Sequence, residues 1–369
     1  MPPEDDIPTS RAERRAQEQA ADTAAADADD TALADGSEGD EGRQKPGCLK
    51  VGCLTLLTMA VIAALVAGGF AAFLYLKFDK QIQRSALLPS SSAGDPTRNP
   101  KAGDAQNILL LGSDSRDVTN MNDNARSDVI QLVHIDKNKQ TVQVIHVPRD
   151  LYVSIPGHGK NKVNAAFAYG GVPLLVQTLQ NLFGIHIDNA AVIGFQGFAK
   201  LTDQVGGVDL YVRQPYCEGD FGCWKAGWQH MNGKQALGFV RERHQLARGD
   251  IDRGVNQQAW IQAVMAKTLK KGTLANPVNV VNIVDDLTAD KNFTVDQGWS
   301  TSALGNLGFQ MRNLRTSNMS FYTTPYTGFK SIPGVGDVDL PDEPAIAALG
   351  KALYNDDFSG YEGQTNTVN

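Results

Sequence analysis

The sequence predicts an α/β fold, an α-β-α sandwich with a mixed central sheet, preceded by one transmembrane helix. Three observations predict it. Residues 54–76 are apolar throughout and carry no charge, and about 20 such residues cross a bilayer core as a helix. Beyond residue 105, short β-branched runs alternate with longer stretches of helical spacing, the pattern of a sheet covered by helices on both faces. Two of those runs, VIQLVHID (129–136) and TVQVIHVP (141–148), are separated only by residues 137–140, which is a hairpin signal.

The elements follow in order. Residues 1–47 are rich in Ala, Asp, Glu and Gly and nearly devoid of large apolar residues. Such a segment cannot bury enough surface to offset its ordering entropy, so a disordered acidic tail is expected. It is also too polar for a signal peptide. The charge is unevenly spread. Residues 1–42 hold 13 acids and 3 bases, whereas residues 77–369 hold 28 of each. The net charge of −7 therefore belongs to the tail. A nucleic-acid-binding domain would carry a basic excess, and this one does not. The tail holds no DNA-binding pattern either.

Arg43, Lys45 and Lys50 flank one side of the apolar segment, and Lys77, Lys80 and Arg84 the other. The positive-inside rule is close to a tie, and the cysteines supply the orientation. Cys217 and Cys223 lie close together in the loop YCEGDFGCW. This arrangement fits a disulfide in an oxidising compartment. A zinc site competes, without a second Cys/His pair of suitable spacing. The disulfide reading places the tail in the cytoplasm and the large domain outside the cell membrane, as a single-pass protein. Residues 77–104, with several Ser and Pro, read as a linker, and residues 105–360 as the working domain.

Within the domain, NILLLG (107–112) reads as a buried strand and LYVSI (151–155) as a further one. Residues 172–184 have helical spacing and stop at Gly184. AAVIGF (190–195) reads as a strand, 197–206 as a short helix and 208–212 as a strand. Residues 232–243 form a helix capped by Asn232. Residues 250–272 form a long amphipathic helix whose acidic start and Lys-rich end suit the helix dipole. Two more helices follow, then a strand at 320–325 and a terminal helix from about Glu343.

Three clusters carry potential chemistry. GSDSRD (112–117) follows a buried strand, where α/β proteins place ligands. Gly112 permits close backbone approach, Asp114 is a hard oxygen ligand, and Arg116 offers a bidentate grip on phosphate. RSD (126–128) and PRD (148–150) deliver Arg126, Asp128 and Arg149 to the same sheet edge. VRERHQLARGDIDRGVNQQ (240–258) supplies Arg241 and Arg243, which share a face only where the chain is leaving a helix. It also supplies Asp250, Arg253 and Gln257, which share one helix face. Taken singly, each cluster also fits solvated turns and surface ion pairs. Together they put six arginines and two hard carboxylates on a domain of zero net charge, the composition of a diphosphate site. Ser113, Ser115 and Ser127 lack a His partner in the pattern, so a covalent intermediate is not indicated.

NILLLGSDSRD, RSDVI, VPRDLYV, KVNAAFAYGG, VGGVDLYV, LGFVRER and GDIDRGVNQQ, in this order over 107–267, resemble the LytR-CpsA-Psr family. The resemblance implies an extracytoplasmic phosphotransferase. Members attach teichoic acid, capsular polysaccharide or arabinogalactan to peptidoglycan from undecaprenyl or decaprenyl diphosphate. It implies Asp114 and Asp128 as ligands of Mg2+, or Mn2+ in its place. It implies Arg126, Arg149, Arg241, Arg243, Arg253 and Gln257 as substrate contacts, to which the residue pattern adds Arg116, with Asp250, Arg149 and Arg241 closest to the chemistry. The expected partners are the polyprenyl diphosphate-linked glycopolymer, peptidoglycan and membrane lipid, in a Gram-positive or actinobacterial host. The lipid tail needs an apolar slot, for which helices 172–183 and 259–265 have the composition. The chain departs from the family pattern at Asn256, where Arg is frequent, and at Ala165, where His is frequent. A non-catalytic binder of lipid-linked polymer and a polyprenyl diphosphate hydrolase remain open alternatives.

Overall fold

The computed structural model describes residue 69 and residues 72–90, 95–114, 127–269 and 277–368, the side chains of 127, 128, 277–280 and 290 excepted. The predicted span 54–76 lies largely outside them. Among the described residues no helix is long and apolar enough to cross a membrane.

The first strands are β1 (Gln83–Ser85), β2 (Gln106–Ser113), β3 (Ser127–Ile135) and β4 (Val142–His146), then the hairpin β5 (Tyr152–Ile155) and β6 (Gly159–Lys162). Helix α1 (Val163–Phe183), β7 (Asn189–Gly194), α2 (Phe195–Gln204) and β8 (Val208–Val212) follow. A second hairpin, β9 (Tyr216–Glu218) and β10 (Gly222–Trp224), leads to β11 (Gly227–Met231), α3 (Gly233–Arg241), α4 (Asp250–Thr268) and α5 (Pro277–Thr288). The remainder is β12 (Phe293–Asp296), α6 (Thr301–Gln310), β13 (Met319–Thr323), β14 (Tyr326–Ile332), β15 (Gly336–Pro341) and α7 (Glu343–Asn355).

Seven strands form the central sheet in the order β1-β12-β7-β2-β3-β4-β13. The pairs β1–β12, β2–β7 and β4–β13 are parallel, and β7–β12, β2–β3 and β3–β4 antiparallel. The sheet is therefore mixed, as the sequence predicts. Side chains alternate across it. Leu109, Leu111, Ile130, Leu132 and Ile145 pack toward α1 and α7, while Ile108, Val133, Val142 and Val144 pack toward the opposite layer, which includes Ile261 and Met265 of α4. Burial on both faces is why these strands read as nearly unbroken apolar runs.

Three expectations change. The stretch read as a linker contributes to the domain: β1 adds an edge strand paired with β12, and Leu87 is buried in the core. The helix expected at 172–184 begins at Val163, with non-helical backbone at Gly170 and Gly171 ahead of Pro173. The glycine pair breaks the helical pattern there, Gly171 at a positive φ of 63°, which obscured the first segment. LYVSI is β5 as predicted, but its partner β6, the hairpins β9–β10 and β14–β15, and β12 were not legible, being short and rich in glycine or charge.

Candidate active site

The site lies where the ends of β2 and β4 meet the first turn of α4, the position at which open α/β sheets bind ligands. A cavity of about 310 Å³ opens there. Its lining joins Arg149, Arg241, Arg243, Arg253 and Gln257 to an apolar set that includes Leu110, Val129, Phe195, Leu237 and Trp260.

Each polar residue is placed by local structure. Asp250, Arg253 and Gln257 stand on one face of α4, as their spacing requires. Asp250 and Arg253 form an ion pair, and Asp250 Oδ2 accepts from the Arg149 backbone N at 3.2 Å. Arg253 and Gln257 are buried, at 4% exposure each. Gln131 Nε2 donates to Gln257 Oε1 at 3.2 Å and faces His146 Nδ1 at 3.3 Å. With Gln131 as donor, the ring proton of His146 sits on Nε2, which lies 3.9 Å from Asp250 Oδ2. Burial holds the imidazole neutral down to about pH 4, with Asp250 pulling upward and Arg253 downward. A Cβ on Gly254 would stand 2.2 Å from the His146 ring; only glycine lets α4 approach this closely.

Arg241 ends α3, and Glu242 is already extended (φ −59°, ψ 133°). The chain thus leaves the helix between Arg241 and Arg243, the condition under which both face one cavity. The Arg241 guanidinium carbon lies 4.7 Å from the Phe195 ring centre and 5.3 Å from that of Phe221, cation–π contacts that fix its direction. Burial works to raise the Glu242 carboxyl, but hydrogen bonds from the Gln245, His244 and Arg243 backbone and from Glu218 outweigh it and lower it. Those bonds hold the turn that aims Arg243.

Cys217 and Cys223 form the expected disulfide, as directly opposed residues of β9 and β10. It closes the loop that presents Phe221 to Arg241 and Glu218 to the cavity.

Asp114 stands exposed just beyond β2. Asp128 lies on β3, and the Ser113–Ser127 pairing brings the two positions to the same end of the ladder; the Asp128 side chain, Arg116 and Arg126 fall outside the described residues. Two carboxylates fit Mg2+, which takes one or two from protein and the rest from phosphate and water. Among the described residues no group of three or more His, Cys, Asp and Glu is gathered as a metal cage. Gly112 serves the sheet: a Cβ there would meet Val129 Cγ2 at 2.7 Å.

One expectation about the apolar slot is corrected. Leu175, Val176, Leu179 and Phe183 of α1 belong to the core on the far face, whereas α2, α3 and α4 line the cavity. The 259–265 part of the expectation holds through Trp260 and Ile261. Asn256, at the family departure, donates to Phe239 O at 3.5 Å inside the fold. Gln131 and His146 were missed, although both are polar breaks in apolar strand runs.

Comparisons with known proteins identify the relatives of this chain. The profile of the LytR-CpsA-Psr family matches residues 74–347. The chain is 31% identical over 278 residues to the cell wall biosynthesis protein LcpA of Corynebacterium glutamicum, a match covering 64% of this chain and 52% of that protein. It therefore spans about half the length of LcpA. It is 33% identical over 250 residues to the polyisoprenyl-teichoic acid–peptidoglycan teichoic acid transferase TagU of Oceanobacillus iheyensis, covering 63% of this chain and 76% of TagU. The structure is similar to that of TagV from B. subtilis, with 25% identity, a TM-score of 0.58, and 69% and 98% of the two chains covered. A LytR-Csp2A-Psr enzyme from Actinomyces oris shares the fold at 23% identity and a TM-score of 0.58, over 74% and 95% of the chains. The chain belongs to the LytR-CpsA-Psr family.

Proposed function

We propose that this protein is a phosphotransferase that moves a glycopolymer from a polyprenyl diphosphate carrier to peptidoglycan. The observation that carries the reading is a single cavity combining four arginines with an apolar lining. A diphosphate on a prenyl chain needs both. The arginines bind its oxygens in bidentate fashion, and the apolar lining takes the first isoprene units.

An acceptor sugar hydroxyl attacks the phosphorus next to the polymer. A new P–O bond forms, and the bond to the bridging oxygen breaks. Polyprenyl phosphate leaves with the electron pair, its charge held by Arg149, Arg241 and Arg243. Asp250, oriented by Arg253 and the Arg149 backbone N, receives the hydroxyl proton. Neutral His146 lies beside Asp250 without adding a charge that would compete with the substrate. Asp114 and Asp128 would hold Mg2+, which when bound neutralises charge on the diphosphate.

Residues 54–76 anchor the protein in the cell membrane, and the domain lies outside. The apolar length and the Cys217–Cys223 disulfide support that placement.

The test uses full-length protein in detergent, a synthetic polyprenyl diphosphate glycan and peptidoglycan. Glycan is expected on peptidoglycan, dependent on divalent cation and lost in Asp250→Asn. Release of free phosphorylated glycan with unlabelled peptidoglycan would establish a hydrolase instead. Tight donor binding without turnover would establish a binder.

A further inference from the structure

A cleft larger than the arginine cavity lies elsewhere on the domain. It has a volume of about 810 Å³ and lies between the start of α4, the exposed side of α7 and the C-terminal segment 357–366. We propose that this cleft binds the glycan strand of the peptidoglycan acceptor. The proposal rests on the transferase reading above and adds the place of the second substrate.

Position is the first argument. Both cavities use the same helix as a wall. Arg253 and Gln257 line the arginine cavity, whereas Arg248 and Ile251, on either side of Asp250 in sequence, line the large cleft. Thr324, also lining that cleft, donates to the His146 carbonyl from its backbone N at 2.8 Å and from Oγ1 at 3.0 Å. The residues around Asp250 and His146 thus separate the two spaces, and an acceptor in the large cleft needs to extend one hydroxyl past the first turn of α4 to reach a diphosphate. A transfer between two bulky substrates requires such a second approach.

Chemistry is the second argument. Arg248 and Lys351 are matched by Asp357 and Glu362, so this cleft, unlike the arginine cavity, is not built for a polyanion. Amides (Asn355, Gln364), hydroxyls (Thr323, Ser359) and half-buried tyrosine rings (Tyr326, Tyr361) complete its lining. Amides and hydroxyls match sugar hydroxyls, and ring faces match the C–H face of a pyranose.

The third argument is that the outer wall is fixed. Thr365 bridges to Tyr322, the Asn366 backbone N donates to Phe321 O at 2.7 Å, and the Asn366 side chain donates to Gln258 Oε1 at 2.8 Å. Gln258 in turn donates to Val144 O and Tyr322 O. The C-terminal segment is stitched to α4 and β13, so the cleft has a set shape.

Ala348 is exposed on α7 and lines the cleft, so Ala348→Trp fills it from the surface without touching the core. The experiment compares the full-length wild type with Ala348→Trp and Gln364→Ala, using a soluble, uncrosslinked peptidoglycan fragment and calorimetry. The wild type is expected to bind the fragment, Ala348→Trp to weaken binding at least tenfold, and Gln364→Ala to weaken it severalfold. In the transfer assay the acceptor KM rises in parallel, while donor Kd and Tm stay unchanged. Equal fragment binding by wild type and Ala348→Trp, or no binding by either, overturns the proposal. So does an equal loss of donor affinity in Ala348→Trp, which would assign the cleft to the donor polymer. Failure of the transferase reading shows differently: no glycan transfer by the wild type, whatever calorimetry reports.

Discussion

The two faces of the central sheet are made by the same strands and have opposite characters. Toward α1 and α7, alternate residues form a continuous apolar cluster with Leu109, Leu111, Leu132 and Ile145 at its centre. Toward α4 the intervening residues are Ile108, Val133 and Val144, but also buried Gln131 and His146. An unsatisfied buried polar group costs about 1–3 kcal/mol. On the second face Gln131, His146, Gln257 and the backbone carbonyl of Val240 join in one network, which still leaves Gln131 Oε1 and His146 Nε2 without a hydrogen-bond partner. Period-two alternation lets one strand be pure core on one side and site on the other.

The largest effect separates the faces outright. Arg241→Ala removes the proposed diphosphate contact at the cavity without opening the core. Transfer is expected to fall about 100-fold or more, with Tm nearly unchanged. Leu132→Ala, on the apolar face, is expected to cost about 3 kcal/mol of stability and leave the kcat of the folded fraction intact. Transfer kinetics beside thermal unfolding check both. Full activity in Arg241→Ala would remove the cavity from the reaction.

The next effect is pH-dependent. His146 stays neutral in the folded protein down to about pH 4, whereas the unfolded chain protonates it near 6.5. The unfolded state binds the extra proton between these values. Stability is therefore full above 6.5 and falls as pH drops toward 4, by up to about 3 kcal/mol. His146→Gln is expected to flatten that window in denaturant titrations at pH 7, 5.5 and 4. A slope unchanged by the substitution would show that other groups set it.

A smaller effect tests the support of the arginines. Reducing Cys217–Cys223 opens a short loop, so the loss of stability is expected to be about 2 kcal/mol. The loop carries Phe221 under Arg241, and donor KM is expected to rise severalfold on reduction. Donor binding measured with and without dithiothreitol decides whether the disulfide serves the site or the fold alone.

The apolar face was legible because hydrophobic periodicity is a local signal: the strands at 107–112, 129–136 and 141–148 lie within two residues of their observed ends. The arginine set was legible because Asp250, Arg253 and Gln257 have helical spacing, and because strand ends converge. The polar face was only half legible. Gln131 and His146 interrupt apolar runs, but so do His134, which pairs with Asp356 and Asn107, and Gln143. Sequence cannot tell which polar break meets a helix carrying its partner, since Gln131 and Gln257 are far apart in the chain. The large cleft was invisible for the same reason. Its walls come from α4, α7 and the C-terminal segment, which no local pattern connects.

The smallest effect lies at the rim, where Asp339 on β15 is buried with Oδ2 lacking a hydrogen-bond partner. Burial, and then the nearby charges of Asp250 and Asp150, raise its carboxyl to about 6 against the pull of Lys162. A raised carboxyl means that the folded protein prefers the protonated form, while the unfolded chain releases its proton near 3.8. Stability is lost as pH climbs from 3.8 through 6, and the loss is complete above that. Asp339→Asn keeps the shape and removes the charge. It is expected to be more stable than wild type by about 1 kcal/mol at pH 7.5, and no more stable at pH 4. Urea midpoints at the two pH values read the difference. A gain at both would mean that packing rather than charge carries the cost. No gain at pH 7.5 would mean that Lys162, which already holds Asp150 at 2.9 Å, neutralises Asp339 as well. The expected pattern would show that the rim, like the α4 face, holds charge where a neutral side chain would fold better.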